Sequence, residues 1–166
     1  MKNFFLILYN FFEKTVHLKR LQKFLKNELK FDNPIIFDIG SHKGKITRLM
    51  NDVYKNAKIY CFEPNKKFNQ SIKKINRNIY VNNFAVGKKK EKKIIQINDL
   101  DLTNTLSKIN KNSLYLKFKN FIVGKKKSYK LAEIKVVDLD SFCKKEKIKS
   151  IDFLKIDVEG YEYMVL

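Results

Sequence analysis

The feature that most constrains the fold is a repeated pattern, from residue 34 onward, of a short apolar run followed by a polar helical stretch. Strands are predicted for the apolar runs at residues 34–40, 58–64, 79–86 and 151–157. The segments between them, such as residues 45–54, carry apolar side chains at helical spacing. Strands that alternate with helices form right-handed crossover units whose strands run parallel. The pattern therefore predicts an α/β fold with a doubly wound, mostly parallel sheet.

Other segments lie outside this alternation. Residues 3–30 have Leu and Phe at helical spacing with lysines between them, which predicts an amphipathic helix. We assign residues 1–33 to an N-terminal helical arm and residues 34–166 to one domain. Within that domain, residues 94–97 and 128–137 predict an antiparallel extension of the sheet.

The chain is strongly basic, with 36 Lys and Arg against 17 Asp and Glu and a formal net charge of +19. Such a charge is typical of proteins that bind nucleic acid or an anionic membrane. Only three of the basic residues are arginines, however, and nucleic-acid recognition relies on bidentate arginine contacts. We therefore interpret most lysines as a solvated surface, and a nucleic-acid partner is the less favoured alternative.

The helical arm has two interpretations. In the first, it packs on the domain as an ordinary helix. In the second, residues 1–30 make a peripheral membrane contact, with phenylalanines in the bilayer surface and lysines at the headgroups. The longest apolar run, residues 4–12, is far shorter than the about 20 residues needed to cross a bilayer, and no small-residue cleavage site follows it. We expect a cytoplasmic protein, which is membrane-associated under the second interpretation.

The two cysteines, Cys61 and Cys143, are too few for a disulfide framework. They have no nearby Cys or His at the spacing of metal ligands. We therefore expect a thiol-reducing environment and no metal site.

Carboxylates stand at the ends of three predicted strands, at Asp38, Glu63 and Asp157. In an open α/β sheet, ligands bind at the carboxyl ends of the strands. Asp38 precedes Gly40 and Gly44, in a spacing that differs from the dinucleotide pattern G-x-G-x-x-G, and its charge would repel a pyrophosphate. An acid at Asp38 suits an ammonium group, and Glu63 suits two ribose hydroxyls. S-adenosylmethionine is the cofactor that meets these two demands.

Four segments, in order along the chain, resemble the successive motifs of the FkbM-type S-adenosylmethionine-dependent methyltransferases. They are FDIGSHKG (37–44), CFEP (61–64), VVDLD (136–140) and IDFLKIDVEGYE (151–162). The resemblance covers residues 34–166 and implies a class I, Rossmann-like methyltransferase fold. It also implies an enzyme that transfers a methyl group to a hydroxyl of a glycan or a related small acceptor.

The resemblance further implies the roles of individual residues. The expected cofactor-binding residues are Asp38, Gly40, Ser41, His42, Gly44, Glu63, Pro64, Asn83 and Phe84. The residues expected to face the methyl group and the acceptor are Lys155, Asp157 and Glu159. Asp157 or Glu159 would take the hydroxyl proton while Lys155 orients and neutralises them. His42 stands where the family more often has Asn, so we interpret it as a hydrogen-bond donor of the loop.

The sequence ends at Leu166, whereas the family continues through another helix and three more strands. We therefore expect the C-terminal strands of the fold to be missing and residues 151–156 to form an exposed edge. This expectation leaves an alternative function, a non-catalytic S-adenosylmethionine-binding fragment that requires a partner or the missing segment. A nucleic-acid methyltransferase is less favoured, because no acceptor-binding sequence such as Asn-Pro-Pro-Tyr occurs.

Overall fold

A four-stranded parallel sheet forms the centre of the computed structural model, which describes residues 16–98, 129–158 and 160–166. Its strands are β1 (Ile35–Ile39), β2 (Lys58–Phe62), β3 (Ile79–Asn82) and β7 (Phe153–Ile156). They lie in the order β3-β2-β1-β7, with every neighbouring pair parallel. The predicted mixed α/β fold with a mostly parallel central sheet is therefore confirmed. The direction of the strand order reverses between β1 and β7.

Helices cover the two faces of this sheet. They are α1 (Leu18–Glu28), α2 (Lys45–Val53), α3 (Asn69–Lys73) and α4 (Leu139–Glu146). Because side chains alternate along a strand, Ile36 and Ile59 point to one face and pack with residues of α1, α2 and α3. Phe37 and Phe62 point to the other face and pack against Phe142 of α4. Each face of the sheet is thus buried by its own hydrophobic cluster, as in a doubly wound fold.

The prediction of one continuous strand over residues 79–86 is wrong. β3 ends at Asn82, and after a break at Asn83 and Phe84 the chain forms β4 (Ala85–Val86) in a different sheet. The reason is that the Asn83 side-chain amide bonds to the end of β2, while Phe84 packs against Phe62 and Phe142. These contacts turn the chain away from the main sheet.

The second sheet contains β4, β5 (Glu91–Asn98) and β6 (Tyr129–Val137), in the order β4-β6-β5. β5 and β6 are antiparallel, so the predicted antiparallel pairing is confirmed. The pair does not extend the main sheet, however, because β6 joins the two-residue β4 instead. The start of the predicted segment, residue 128, lies outside the described residues.

The second sheet is attached to the segment that follows β7. The Lys93 ammonium on β5 donates a hydrogen bond to the Tyr161 hydroxyl and lies 4.7 Å from the centroid of that ring. Lys93 also forms an ion pair with Glu91 at 3.1 Å. Because Tyr161 is buried, these contacts fix the small sheet beside the end of β7.

The predicted N-terminal helix is described from α1 onward, since residues 1–15 lie outside the described residues. Helix α1 ends at Glu28 rather than at residue 30, because Leu29 has an extended backbone. Leu25 is fully buried, and the Tyr54 hydroxyl lies 2.7 Å from the Leu25 carbonyl oxygen and 2.9 Å from that of Leu29. Residues of α1 are therefore part of the core. None of the helices in the described part of the chain has the length and apolar character that a bilayer span requires.

One edge of β7 has no strand beside it among the described residues. β7 pairs with β1 on its inner side, and Leu154 is exposed. An open edge of this kind presents unpaired backbone N–H and C=O groups.

The substitution Tyr54→Phe tests the attachment of α1. It leaves a buried carbonyl oxygen without its donor, so we expect the free energy of unfolding to fall by about 1–2 kcal/mol, measured by urea denaturation. Tyr80→Phe is the matched control, because the Tyr80 ring is exposed and its stacking on Tyr60 is kept. Equal stability of the two variants would show that the hydroxyl of Tyr54 does not hold the helix.

Candidate functional site

The strand order reverses between β1 and β7, and the carboxyl end of β2 lies next to that of β1 at the same edge of the sheet. This edge is the usual ligand position in such sheets. The three strand-end carboxylates lie at this edge. Asp38 and Asp157 approach the same Lys155 ammonium, at 3.1 Å and 3.7 Å. Glu63 accepts a hydrogen bond from the backbone N–H of His42, in the turn that follows β1. The structure therefore brings the predicted acids into one site.

Asp38 and Lys155 form a buried ion pair that the strand register produces. The two residues stand directly beside each other on β1 and β7 and so share a face of the sheet. Asp38 is 0% exposed and the side chain of Lys155 is 17% exposed. Lys155 also donates a hydrogen bond of 2.9 Å to the Gly40 carbonyl oxygen. The second oxygen of Asp38, Oδ2, accepts a 2.6 Å hydrogen bond from the Thr47 hydroxyl. Oδ2 of Asp38 is therefore hydrogen-bonded, whereas Oδ1 is buried beside the Lys155 ammonium without a hydrogen bond among the described residues.

Thr47 is a site residue that the sequence analysis missed. It lies on α2, is fully buried, and approaches the Cys61 sulfur at 3.5 Å as well as Asp38. The available signal was its position on the helix face that also carries Met50. Burial raises the pKa of Cys61 to about 12, so this thiol stays protonated at neutral pH and is no nucleophile.

Two glycines shape the turn between β1 and α2. Gly40 and Gly44 have φ angles of +76° and +75°, in the left-handed region that glycine adopts without strain. A Cβ atom on Gly40 would lie 2.0 Å from the backbone oxygen of Asp157. Gly40 therefore allows the ends of β1 and β7 to approach each other. Between the two glycines, Ser41 is buried and His42 has a φ of +48°.

Glu63 is held in a different way from Asp38. Its Oε2 atom accepts from the His42 N–H at 2.9 Å, and its Oε1 atom accepts from the Asn65 N–H at 2.8 Å. The residue is 5% exposed, and this burial raises the pKa of Glu63 while the two N–H groups oppose the change. An ionised carboxylate has about four acceptor positions, two on each oxygen. One acceptor position on each Glu63 oxygen thus has no hydrogen-bond donor among the described residues.

Three further predicted residues surround Glu63. The Asn83 side-chain amide donates to the backbone oxygens of Glu63 and Pro64, at 2.9 Å and 3.0 Å. Phe84 is half-buried beside Phe62, with ring centroids 5.7 Å apart. The turn, the end of β2 and the break after β3 therefore form one continuous group of residues.

Of the three residues predicted to face the acceptor, Lys155 and Asp157 lie among the described residues. The side chain of Asp157 is 68% exposed and lies beside Lys155. Glu159 lies outside the described residues. In the portions of the chain that the structure describes, no three His, Cys, Asp or Glu side chains are grouped as a metal ion would require.

A family model described as the methyltransferase FkbM domain matches residues 38–166, which include every site residue above. The chain belongs to this family. The resemblance inferred from the four motifs is confirmed, and the family supports a methyltransferase. The matched segment begins at Asp38, so it contains the Gly40 turn, Glu63 and the β7 end but leaves out α1.

One solved structure that this chain resembles is the crystal structure of methyltransferase FkbM from Methylobacillus flagellatus KT. The sequences are 18% identical, the TM-score is 0.47, and the alignment covers 82% of this chain. The chain spans 29% of the length of that structure's chain. Among curated proteins, no match is found.

Alanine substitutions at the two glycines test the close approach of β1 and β7. Gly44→Ala adds a Cβ that meets side-chain atoms of Ile75 and Ile72 at 2.9 Å and 3.1 Å but no backbone atom this closely, so we expect a loss of about 1–2 kcal/mol from the left-handed backbone and a smaller cost for moving these side chains. Gly40→Ala carries the same backbone cost and also meets a backbone oxygen, so we expect a loss of about 3 kcal/mol or more. Chemical denaturation measures the two values. A Gly40→Ala variant as stable as Gly44→Ala would contradict the contact with Asp157.

Proposed function

We propose that this chain binds S-adenosylmethionine at the ends of β1 and β2 and transfers its methyl group to a hydroxyl of a glycan or a related small acceptor. The observation that carries the proposal is the Glu63 carboxylate, which keeps one acceptor position on each oxygen beside a glycine turn. Two neighbouring acceptor positions match the two adjacent hydroxyls of a ribose. Membership of the methyltransferase FkbM family supports the same reaction class.

The residues at this site can hold S-adenosylmethionine, but the role of Asp38 differs from the one expected. Glu63 would hold the ribose, Pro64, Asn83 and Phe84 would border the adenine, and Ser41 and His42 would line the turn. Asp38 was expected to meet the ammonium group directly. Its burial and its two partners, Thr47 and Lys155, favour an indirect role in which Asp38 holds the Gly40 turn in position.

The chemistry of the transfer is divided between cofactor and protein. The cofactor supplies a methyl group that its sulfonium already activates. The protein has to hold the acceptor oxygen in line with that group and to take the hydroxyl proton. Asp157 suits the second task because its carboxylate is exposed. Lys155 lies between two carboxylates and offers only donors, so it orients and neutralises Asp157.

A second candidate function is cofactor binding without turnover. It is favoured by the edge of β7, which no described strand covers, because Lys155 lies on β7 and Asp157 directly follows it. In this candidate, the acceptor side is complete only when a further strand pairs with the open edge of β7. The two candidates share the cofactor site and differ only in methyl transfer.

The substitution Glu63→Gln tests the ribose assignment. It removes the charge that strengthens the hydrogen bonds to hydroxyls, so we expect the Kd of S-adenosylhomocysteine to rise roughly 30-fold, about 2 kcal/mol, in titration calorimetry. Glu133→Gln, on the exposed face of the small sheet, is the control and should leave the Kd unchanged. Equal Kd values for Glu63→Gln and the parent would refute the assignment, and no binding by the folded parent would refute the cofactor itself.

Acidification tests the same group without a mutation. Ribose hydroxyls donate to the ionised carboxylate, so protonation of Glu63 removes its charge and part of its acceptor capacity and weakens binding. Burial raises the pKa of Glu63 above its ordinary value of 4.5, and affinity should therefore start to fall at a higher pH than an exposed glutamate would give. We expect the affinity to fall below that pKa by at most about tenfold per pH unit and to level off at roughly the 30-fold loss expected for Glu63→Gln. In Glu63→Gln this dependence should disappear, and its persistence would assign the titration to another group.

The substitution Asp157→Asn tests the proton acceptor. We expect transfer of a labelled methyl group to a panel of hydroxylated acceptors to slow by roughly 100- to 10,000-fold. The Kd of S-adenosylhomocysteine should stay the same, because Asp157 is not among the ribose or adenine residues. Asp140→Asn, an exposed change on α4, is the matched control. Full activity of Asp157→Asn would exclude this base, and binding without any transfer by the parent would favour the second candidate function.

A further inference from the structure

The loop that follows β7 begins with the exposed carboxylate of Asp157. The Asp157 backbone N–H donates a 3.0 Å hydrogen bond to the Ile39 carbonyl oxygen of β1, so the sheet fixes the start of this loop. The Asp157 side chain itself is 68% exposed, and its carboxylate lies 3.7 Å from the Lys155 ammonium. Because the side chain is held only loosely, its direction depends on the backbone on either side of it.

The carboxylate of Glu162 closes the loop from the other side. Its Oε1 atom accepts hydrogen bonds from the Val158 N–H at 3.0 Å and from the Gly160 N–H at 3.2 Å. The Val158 N–H belongs to the planar peptide group that directly follows Asp157, so this bond fixes the orientation of that plane. Donation from the backbone N–H groups of Glu162 itself, Gly160 and Val158 lowers the pKa of Glu162, and the carboxylate is therefore ionised at neutral pH.

Glu162 reaches the loop from a backbone that is fixed in turn. It begins a short 3₁₀ helix, Glu162–Met164, and its carbonyl oxygen accepts a 3.0 Å hydrogen bond from the Val165 N–H. Val165 is buried in the core, and Tyr161 is buried where Lys93 of the small sheet contacts it. The carboxylate of Glu162 thus connects the loop to a part of the chain that two buried side chains hold in place.

We propose that Glu162 is a positioning residue for methyl transfer. Its carboxylate fixes the peptide group after Asp157, and this directs the Asp157 carboxylate towards the hydroxyl that loses its proton. The inference rests on the proposed function, in which Asp157 is the proton acceptor. A proton acceptor is effective only within hydrogen-bond reach of that hydroxyl, and a displacement of about 1 Å can slow a reaction roughly 100-fold.

Two variants of Glu162 separate its hydrogen bonds from its charge. Glu162→Ala removes both bonds, so we expect kcat for methyl transfer to fall roughly 100-fold, with the Kd of S-adenosylhomocysteine unchanged. Glu162→Gln should keep most of the activity, since one amide oxygen can accept both bonds. Glu133→Ala, at an exposed position of the small sheet, is the control for charge, and thermal unfolding checks that all variants fold. An equal loss of kcat in the Gln and Ala variants would overturn the proposal.

A double-mutant cycle tests whether Glu162 acts through Asp157. In the Asp157→Asn variant, Glu162→Ala should cause no further loss of kcat, because the carboxylate that Glu162 positions is already gone. A role in stability alone would repeat the roughly 100-fold loss in that background and would overturn the proposal.

Hydrogen exchange examines the loop without the reaction. The N–H groups of Val158 and Gly160 should exchange faster in Glu162→Ala than in the parent or in Glu162→Gln, and equal protection would overturn the proposal. The outcome for the parent separates the two levels of inference. A parent that transfers no methyl group refutes the proposed function and this inference together, whereas an active parent with a fully active Glu162→Ala variant refutes this inference alone.

Discussion

The ion pair between Asp38 and Lys155 is the contact on which the rest of the site depends. A carboxylate that is 0% exposed needs a partner for its charge, and breaking a buried pair by removing one member typically costs about 3–5 kcal/mol. Lys155 of β7 forms an ion pair with Asp38, and Thr47 of α2 donates a hydrogen bond to it. Lys155 also donates a hydrogen bond to the Gly40 carbonyl oxygen, which holds the turn that follows β1. One pair of charges thus fixes the relative positions of two strands, a helix and the glycine turn.

The two buried carboxylates of the site have different environments. Asp38 faces an ammonium group and a hydroxyl, whereas Glu63 has two backbone N–H donors and no cation within ion-pair distance among the described residues. Burial consequently raises the pKa of Glu63. The charge of Asp38 is paired with that of Lys155, whereas backbone N–H groups stabilise the charge of Glu63.

Some of this arrangement was predictable from the residues, and some was not. β1, β2 and β7 lie within predicted apolar runs, because the strands of a parallel sheet that helices cover are mostly apolar. The same rule failed at residues 79–86, since an apolar run does not reveal that Asn83 and Phe84 turn the chain into another sheet. Thr47 was missed because the sequence does not tell which residue its hydroxyl contacts. That contact, with Asp38, forms only when the helix packs against the sheet. The contact of Lys93 with Tyr161 joins residues 68 positions apart and leaves no local pattern.

The sequence by itself determined the class of the fold, the family and the presence of acids at the strand ends. These properties follow from the local spacing of residues, so motifs of a few residues are enough to predict them. Only the tertiary structure decided which acid meets a cation, because that depends on β7 lying beside β1 in a register that places Lys155 next to Asp38. These two residues are 117 positions apart in the chain. Strand order and register arise from the packing of the whole sheet, and no local spacing of residues encodes them.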